Sequence, residues 1–196
     1  MSLTNPYGDV ELSEPQAMRA LAHTVRLAIL GRLQRHGPST ASRLSPDVGA
    51  TPSVTSWHLR HLASFGLVRD AEVGDDARER WWESVGRGFR LTPPDPDDSE
   101  GQAAYRALGE QMFLQYHDLP LTWLADVEPG LPPRWGALSG LSNTRIVVGR
   151  AELARIEQAI EEVLAPYVRR DAADAPRGSR GVRFMRYVMP EAPESL

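Results

Sequence analysis

The chain has 196 residues, 41% hydrophobic and 24% charged, a globular composition long enough for one large domain or two small ones. Cysteine is absent, which excludes disulfides, a thiol nucleophile and thiolate metal sites and fits a cytoplasmic protein. The net charge of −4 argues against an indiscriminate polyanion binder, and no apolar run of about 18 residues or basic-then-apolar start marks a membrane span or a secretion signal.

Residues 1–13 read as a flexible arm. From Glu14 the apolar spacing is helical, through Ala17, Leu21, Val25, Leu27, Ile29, Leu30 and Leu33 to the stop at Gly37-Pro38, with a break near His23-Thr24 and Thr24 as the second cap. Ser39 or Thr40 caps a short third helix over Ala41, Leu44 and Val48, closed by Gly49. Residues 52–65 form the fourth, with Thr51 as N-cap, Pro52 in its first position and Gly66 beyond its end. The tight Gly49-Ala50-Thr51 connection between the last two is the geometry of a helix-turn-helix.

The fourth helix has an unusual surface. Thr55, Leu59, Leu62 and Ala63 fall on one side, and Ser53, Trp57, Arg60 and His61 on the other, with no acid from Thr51 to Val68. Hydroxyls, an indole, a guanidinium and an imidazole are the side chains that contact base edges and phosphates. After Gly66 the period shortens. LVRDAEV (67–73) and ERWWESV (79–85), split by GDDAR, read as a β-hairpin, so the helices carry a wing with Arg78 and Arg80 near its tip. GRGF (86–89) turns the chain out of the wing. All 22 basic residues are Arg; residues 14–92 hold 11 of them against 8 acids, whereas residues 93–135 hold 2 against 8. A mildly basic unit beside an acidic segment suits a DNA-binding domain joined to another.

Residues 93–101, with Pro93, Pro94, Pro96 and three Asp, read as a linker between a winged-helix domain (14–92) and a second domain (102–190), ahead of a short tail (191–196). In the second domain a helix covers about 100–117, and residues 118–142 have little periodicity. Thr144 to Val148 and Gly181 to Met189 are strand candidates flanking a helix from about Arg150 to Arg169. Leu153, Ile156, Ile160, Val163 and Tyr167 form its apolar stripe, either core or a dimer seam. Tyr105, Met112, Trp123 and Trp135 are candidates for a small-molecule effector pocket, with plain core as the alternative. The expected fold class is mainly α with small β: an N-terminal winged helix-turn-helix and a C-terminal α/β dimerisation or effector domain.

The pieces ALAHTVRLAILGRL (20–33), STASRLSPDVG (39–49), SVTSWHLRHLASFGLV (53–68) and RERWWESVGRGFRL (78–91) resemble the ArsR-like winged helix-turn-helix regulators. The resemblance covers roughly two-fifths of the chain. It implies a transcription regulator, a repressor, that binds double-stranded DNA as a homodimer with the fourth helix in the major groove and the wing on the backbone. Carried over by position, Ser53, Val54, Trp57 and His61 face bases. Ser56, His58 and Arg60 serve phosphates or brace the helix, and Ser39 and Thr40 offer phosphate a hydroxyl and a backbone N–H. Metal sensing of the family's kind lacks its cysteines, and His58 and His61, at i and i+3, have no third ligand, so no metal or other cofactor is expected.

Two other classes compete. An enzyme would need a nucleophile–base cluster, a phosphate loop or a zinc motif, and GxGxxG, GxxxxGK and HExxH are all missing, so no enzyme is expected. A winged-helix module for protein–protein contact without DNA binding is the stronger rival.

Overall fold

The computed structural model describes residues 7–72, 79–168, 170 and 172–192, and its first element is a strand where the sequence reads a flexible arm. In β1 (Val10–Leu12) two apolar residues two positions apart bury one face, and the strand pairs in parallel with β5 (Phe89–Leu91), Val10 opposite Phe89 and Leu12 opposite Leu91. The turn into β5 needs Gly86: a Cβ there would lie 2.8 Å from Val10 Cγ2 and 2.9 Å from the Gly88 carbonyl oxygen.

Helices α1 (Pro15–Leu21) and α2 (Thr24–His36) meet at His23, which takes the capping role expected of Thr24. Its backbone is extended, and its Nδ1 accepts from the Val25 N–H at 3.2 Å. Gly37, at φ 76°, closes α2 in the left-handed region. Next come β2 (Ser39–Thr40), α3 (Ala41–Leu44) and α4 (Pro52–Ser64), whose caps are the hydroxyls of Thr40 and Thr51. β3 (Val68–Asp70) and β4 (Trp81–Ser84) form the wing, with Val68 opposite Ser84 and Asp70 opposite Trp82, and β2 pairs with the other edge of β4. The turn GDDAR lies outside the described residues, and Arg78 with it.

One core joins these elements. Leu12, Met18, Leu21, Leu27, Ile29, Leu30, Leu33, Leu44, Leu59, Leu62 and Trp82 are buried together, each large side chain contributing about 1.5–3 kcal/mol. This core continues past residues 93–101, where the sequence reads a linker. Asp98 caps α5 (Ser99–Tyr116) by accepting from the Gly101 N–H at 2.9 Å, and Ala104 and Leu108 of that helix are buried in the same cluster.

Beyond α5 burial almost ends. α6 (Leu119–Thr122), a π-helical turn (Trp123–Val127), a 3-10 turn (Glu128–Gly130) and α7 (Pro133–Gly136) lead to α8 (Arg150–Val168). Polar contacts dock α8 on the β1–β5 edge: Arg90 pairs with Glu161, Arg87 donates to the Val168 carbonyl at 2.7 Å, and the Tyr7 hydroxyl to that of Ile160 at 3.5 Å. The runs 144–148 and 181–189 have a strand composition but belong to no sheet of the single chain, although Arg145 reaches Glu191 at 2.9 Å. The fold is mainly α-helical with a small β component, and among the described residues no helix is long and apolar enough to cross a membrane.

Candidate nucleic-acid interface

Helix α4 presents the face that its sequence implies. Thr55, Leu59 and Leu62 are fully buried, fixing the helix against α2 and α3, while Ser53, Val54, Trp57 and Arg60 face outward. Trp57 is 54% exposed, and its indole stacks parallel to the half-buried His61 ring at 5.5 Å. Arg60 donates to the Ser56 hydroxyl at 3.3 Å and has no carboxylate partner among the described residues. An unpaired guanidinium on an acid-free helix face is a ready phosphate ligand.

Burial closes two expected phosphate contacts and decides between the two roles open to His58. His58 is 5% exposed; its ring packs 4.9 Å from His23 and 4.8 Å from Trp57, so it braces α4 from behind. Ser39 and Thr40 are buried because β2 closes the sheet against β4, and the Thr40 hydroxyl is occupied by the Arg43 N–H at 3.4 Å. Neither hydroxyl is open to a phosphate.

The wing is electrostatically mixed. Arg80 lies 4.1 Å above the Trp82 ring and donates to both carboxylate oxygens of Asp70, from Nε to Oδ1 and from Nη2 to Oδ2 at 2.8 Å; that pairing holds the Asp70 carboxyl below its usual range. Arg69 pairs with Glu83 at 2.6 Å and Arg32 with Asp47 at 2.6 Å. Arg43 of α3 is different: it stacks 4.7 Å above Trp81, has no carboxylate partner among the described residues and stands beside the base of the wing. Sequence reasoning passed over Arg43. Its signal was the Trp81-Trp82 doublet: adjacent strand residues point to opposite faces, so the member outside the core needs a cover.

Three imidazoles stand at the back and flank of α4. Burial lowers the pKa of His58, and the charges of His23, Arg26 and His61 lower it further. His23 and His61 are lowered too, burial first in each, with Arg26 contributing to both. Arg26 itself is buried and donates to the Ala20 carbonyl. The His58 Nδ1 atom is buried without a hydrogen-bond partner. Among the described residues no group of three or more His, Cys, Asp and Glu is placed to hold a metal ion.

The aromatic residues expected in an effector pocket are dispersed. Tyr105 and Met112 pack on the winged-helix core, whereas Trp135 lies under Arg180 at 5.8 Å and Trp123 is half-buried on its own turn. An open cavity of about 490 Å³ lies elsewhere, between α2 and the end of α5, lined by Leu27, Gly31, Arg32, Asp47 and Tyr116 among others.

No protein-family model matches this chain, and no curated protein matches it significantly. Among solved structures it is similar to a MarR family regulator from Neisseria meningitidis, with 17% sequence identity over 73% of this chain and 79% of that one and a TM-score of 0.32. A likeness that loose defines neither fold nor function, and the winged helix-turn-helix stands on the chain's own strand order and helix contacts.

Proposed function

We propose that this protein is a DNA-binding transcription regulator of the cytoplasm, a repressor, that reads the major groove with α4 as a homodimer. The observation that carries this reading is the outer face of α4: Ser53, Val54, Trp57 and Arg60 exposed together, with no carboxylate on the helix and the buried side locked by Leu59 and Leu62. Ser53, Val54, Trp57 and the edge of His61 serve bases; Ser56 and Arg60 serve phosphates, joined by Arg43 from α3. Arg80 reaches the backbone only by exchanging Asp70 for a phosphate, so its contribution is smaller than that of Arg60.

The reading does not extend to an effector, since Tyr105 and Met112 are taken up in packing on the winged-helix core. It involves no catalytic step. The alternative, a protein-binding winged helix, is favoured by one observation: each wing carboxylate among Asp70 and Glu83 already holds an Arg, which lowers the local positive field.

Selection of bound sequences from a random double-stranded pool tests the proposal. An inverted repeat with half-sites about one helical turn apart is the expected product. Absence of enrichment, together with an affinity for random duplex that does not fall as salt rises, would leave the protein-binding reading in place.

A further inference from the structure

We propose that the face built by the α8 stripe and the runs 144–148 and 181–189 is the homodimer seam, and that a second copy of this chain covers it. This deepens the homodimer reading and rests on it for biological sense, although the physical argument uses no property of DNA.

The argument begins with area. A folded monomer of 21.7 kDa exposes about 9,200 Å². This chain exposes 13812 Å², an excess of about 4,600 Å² over that scaling. Counting the eighteen residues outside the described set as fully extended chain removes at most about 2,900 Å² of it. What remains, about 1,700 Å², lies within the roughly 1,000–2,500 Å² that each partner of a permanent homodimer buries.

Exposed large apolar side chains run from the end of α5 to residue 189, Leu138 at 85% and Leu141 at 67% among them. On α8 and the two runs, Val147 is 86% exposed, Phe184 71% and Val163 66%, and Ile146, Tyr187 and Met189 are exposed as well. On α8 the stripe through Ile156, Val163 and Tyr167 lies nearly half a turn from the side, at Glu161 and Ala165, that faces the β1–β5 edge. Docking on the chain's own core therefore leaves the stripe uncovered. The two runs are rich in β-branched and aromatic residues and pair with no strand, the condition in which a chain recruits a strand from another.

Charge selects the occupant. Helix α8 carries four Glu against two Arg, while residues 175–190 carry four Arg and no acid; within the chain Arg186 pairs with Glu157 at 3.1 Å and Arg90 with Glu161, which leaves Glu152 and Glu162 on the helix and Arg177, Arg180 and Arg183 on the run without an ion pair among the described residues. Two of those arginines, Arg180 and Arg183, lie over Trp135 and Tyr116 without a carboxylate partner among the described residues. A surface with an acidic helix beside a basic run is complementary to itself when related by a two-fold axis. A purely acidic or purely basic partner would be attracted by one half and repelled by the other.

The test is the mass of the full chain in solution, by light scattering from about 1 to 100 μM, for the wild type and three variants. Val163→Glu and Phe184→Glu are expected to convert a dimer to a monomer, shifting the dimer dissociation constant at least a hundredfold. Phe113→Glu, on the exposed end of α5, is expected to leave it a dimer. Hydrogen exchange on the wild type guards against a variant that fails to fold: peptides from 144–148 and 181–189 should lose protection on dilution, while those of α2 keep it. A dimer that survives both seam variants, or that Phe113→Glu alone dissolves, overturns the seam and leaves DNA binding untouched. A wild type that stays monomeric at 100 μM overturns both the seam and the paired-helix geometry, and assigns the surface to a different occupant. Loss of DNA selection with the dimer intact breaks the functional proposal alone.

Discussion

The two halves of this chain differ in where their apolar residues go. Among the described residues every buried hydrophobic one lies at or before Leu108 except Ala165. Yet the second half is not poor in apolar residues, and α8 has a clean stripe in 3-4-3-4 spacing. Periodicity shows which side of a helix wants cover and is silent about whether the same chain supplies it. In the winged helix the cover is supplied within the chain, by α2, α4, α5 and the wing.

The largest effect that tests this contrast is on stability. Trp82 is fully packed at the root of the wing, and Trp82→Ala should cost about 3–5 kcal/mol. Val163→Ala on α8, measured at a concentration where the chain is monomeric, should cost less than about 0.5 kcal/mol. Urea unfolding followed by circular dichroism reads both. Comparable losses would mean that the two halves are packed alike, and the contrast would fail.

Next is the joint between the halves. Gly86→Ala would push a Cβ into Val10 and should cost about 1–3 kcal/mol through the β1–β5 ribbon. Because Tyr7, Arg87 and Arg90 hold α8 against that edge, proteolysis within 150–168 should accelerate in the same variant. Stability lost without faster cleavage there would separate α8 from the ribbon.

At the interface, Arg60→Ala should weaken DNA binding about tenfold for all sequences and lower the salt slope by about 1. Substitutions at Ser53 or His61 should shift sequence preference with a smaller change in mean affinity. If Arg60→Ala altered preference and not the salt slope, Arg60 would be a base contact.

The winged helix was legible in the sequence because its signals are local. Thr51-Pro52 at the start of α4, Gly66 at φ 66° after it and the alternating wing strands each act within a few residues. What escaped was tertiary. Whether Ser39 and Thr40 are open depends on β2 joining β4, a pairing of residues more than 40 apart in sequence. His58 lies on the flank of the helical wheel and His61 farther toward its outer face; how deeply His58 is buried depends on the His23 ring, brought in by the end of α1. Val10–Leu12 shows too little apolar length to read as a strand without its parallel partner 79 residues on. The runs 144–148 and 181–189 pose the inverse case: strand composition is present and the pairing strand is not.

The smallest expected effect discriminates between folding and binding by its sign. Burial and the neighbouring charges lower the pKa of His58, His23 and His61 in the folded chain. Above about pH 6.5 all three are neutral in both states and the fold carries no penalty. As pH falls below that, the unfolded chain takes up protons that the folded chain resists, so stability declines toward the lowered folded values, and His58→Leu should flatten the decline. DNA acts in the opposite direction. With its edge on a base, His61 lies in the negative field of the duplex backbone, which raises its pKa toward or above its ordinary value, so binding takes up a proton and affinity rises as pH falls. Urea midpoints and DNA affinities measured from pH 8 to pH 5.5 should therefore slope oppositely, with His61→Gln flattening the affinity slope. Slopes of the same sign would remove His61 from the field of the duplex and leave it a structural partner of Trp57.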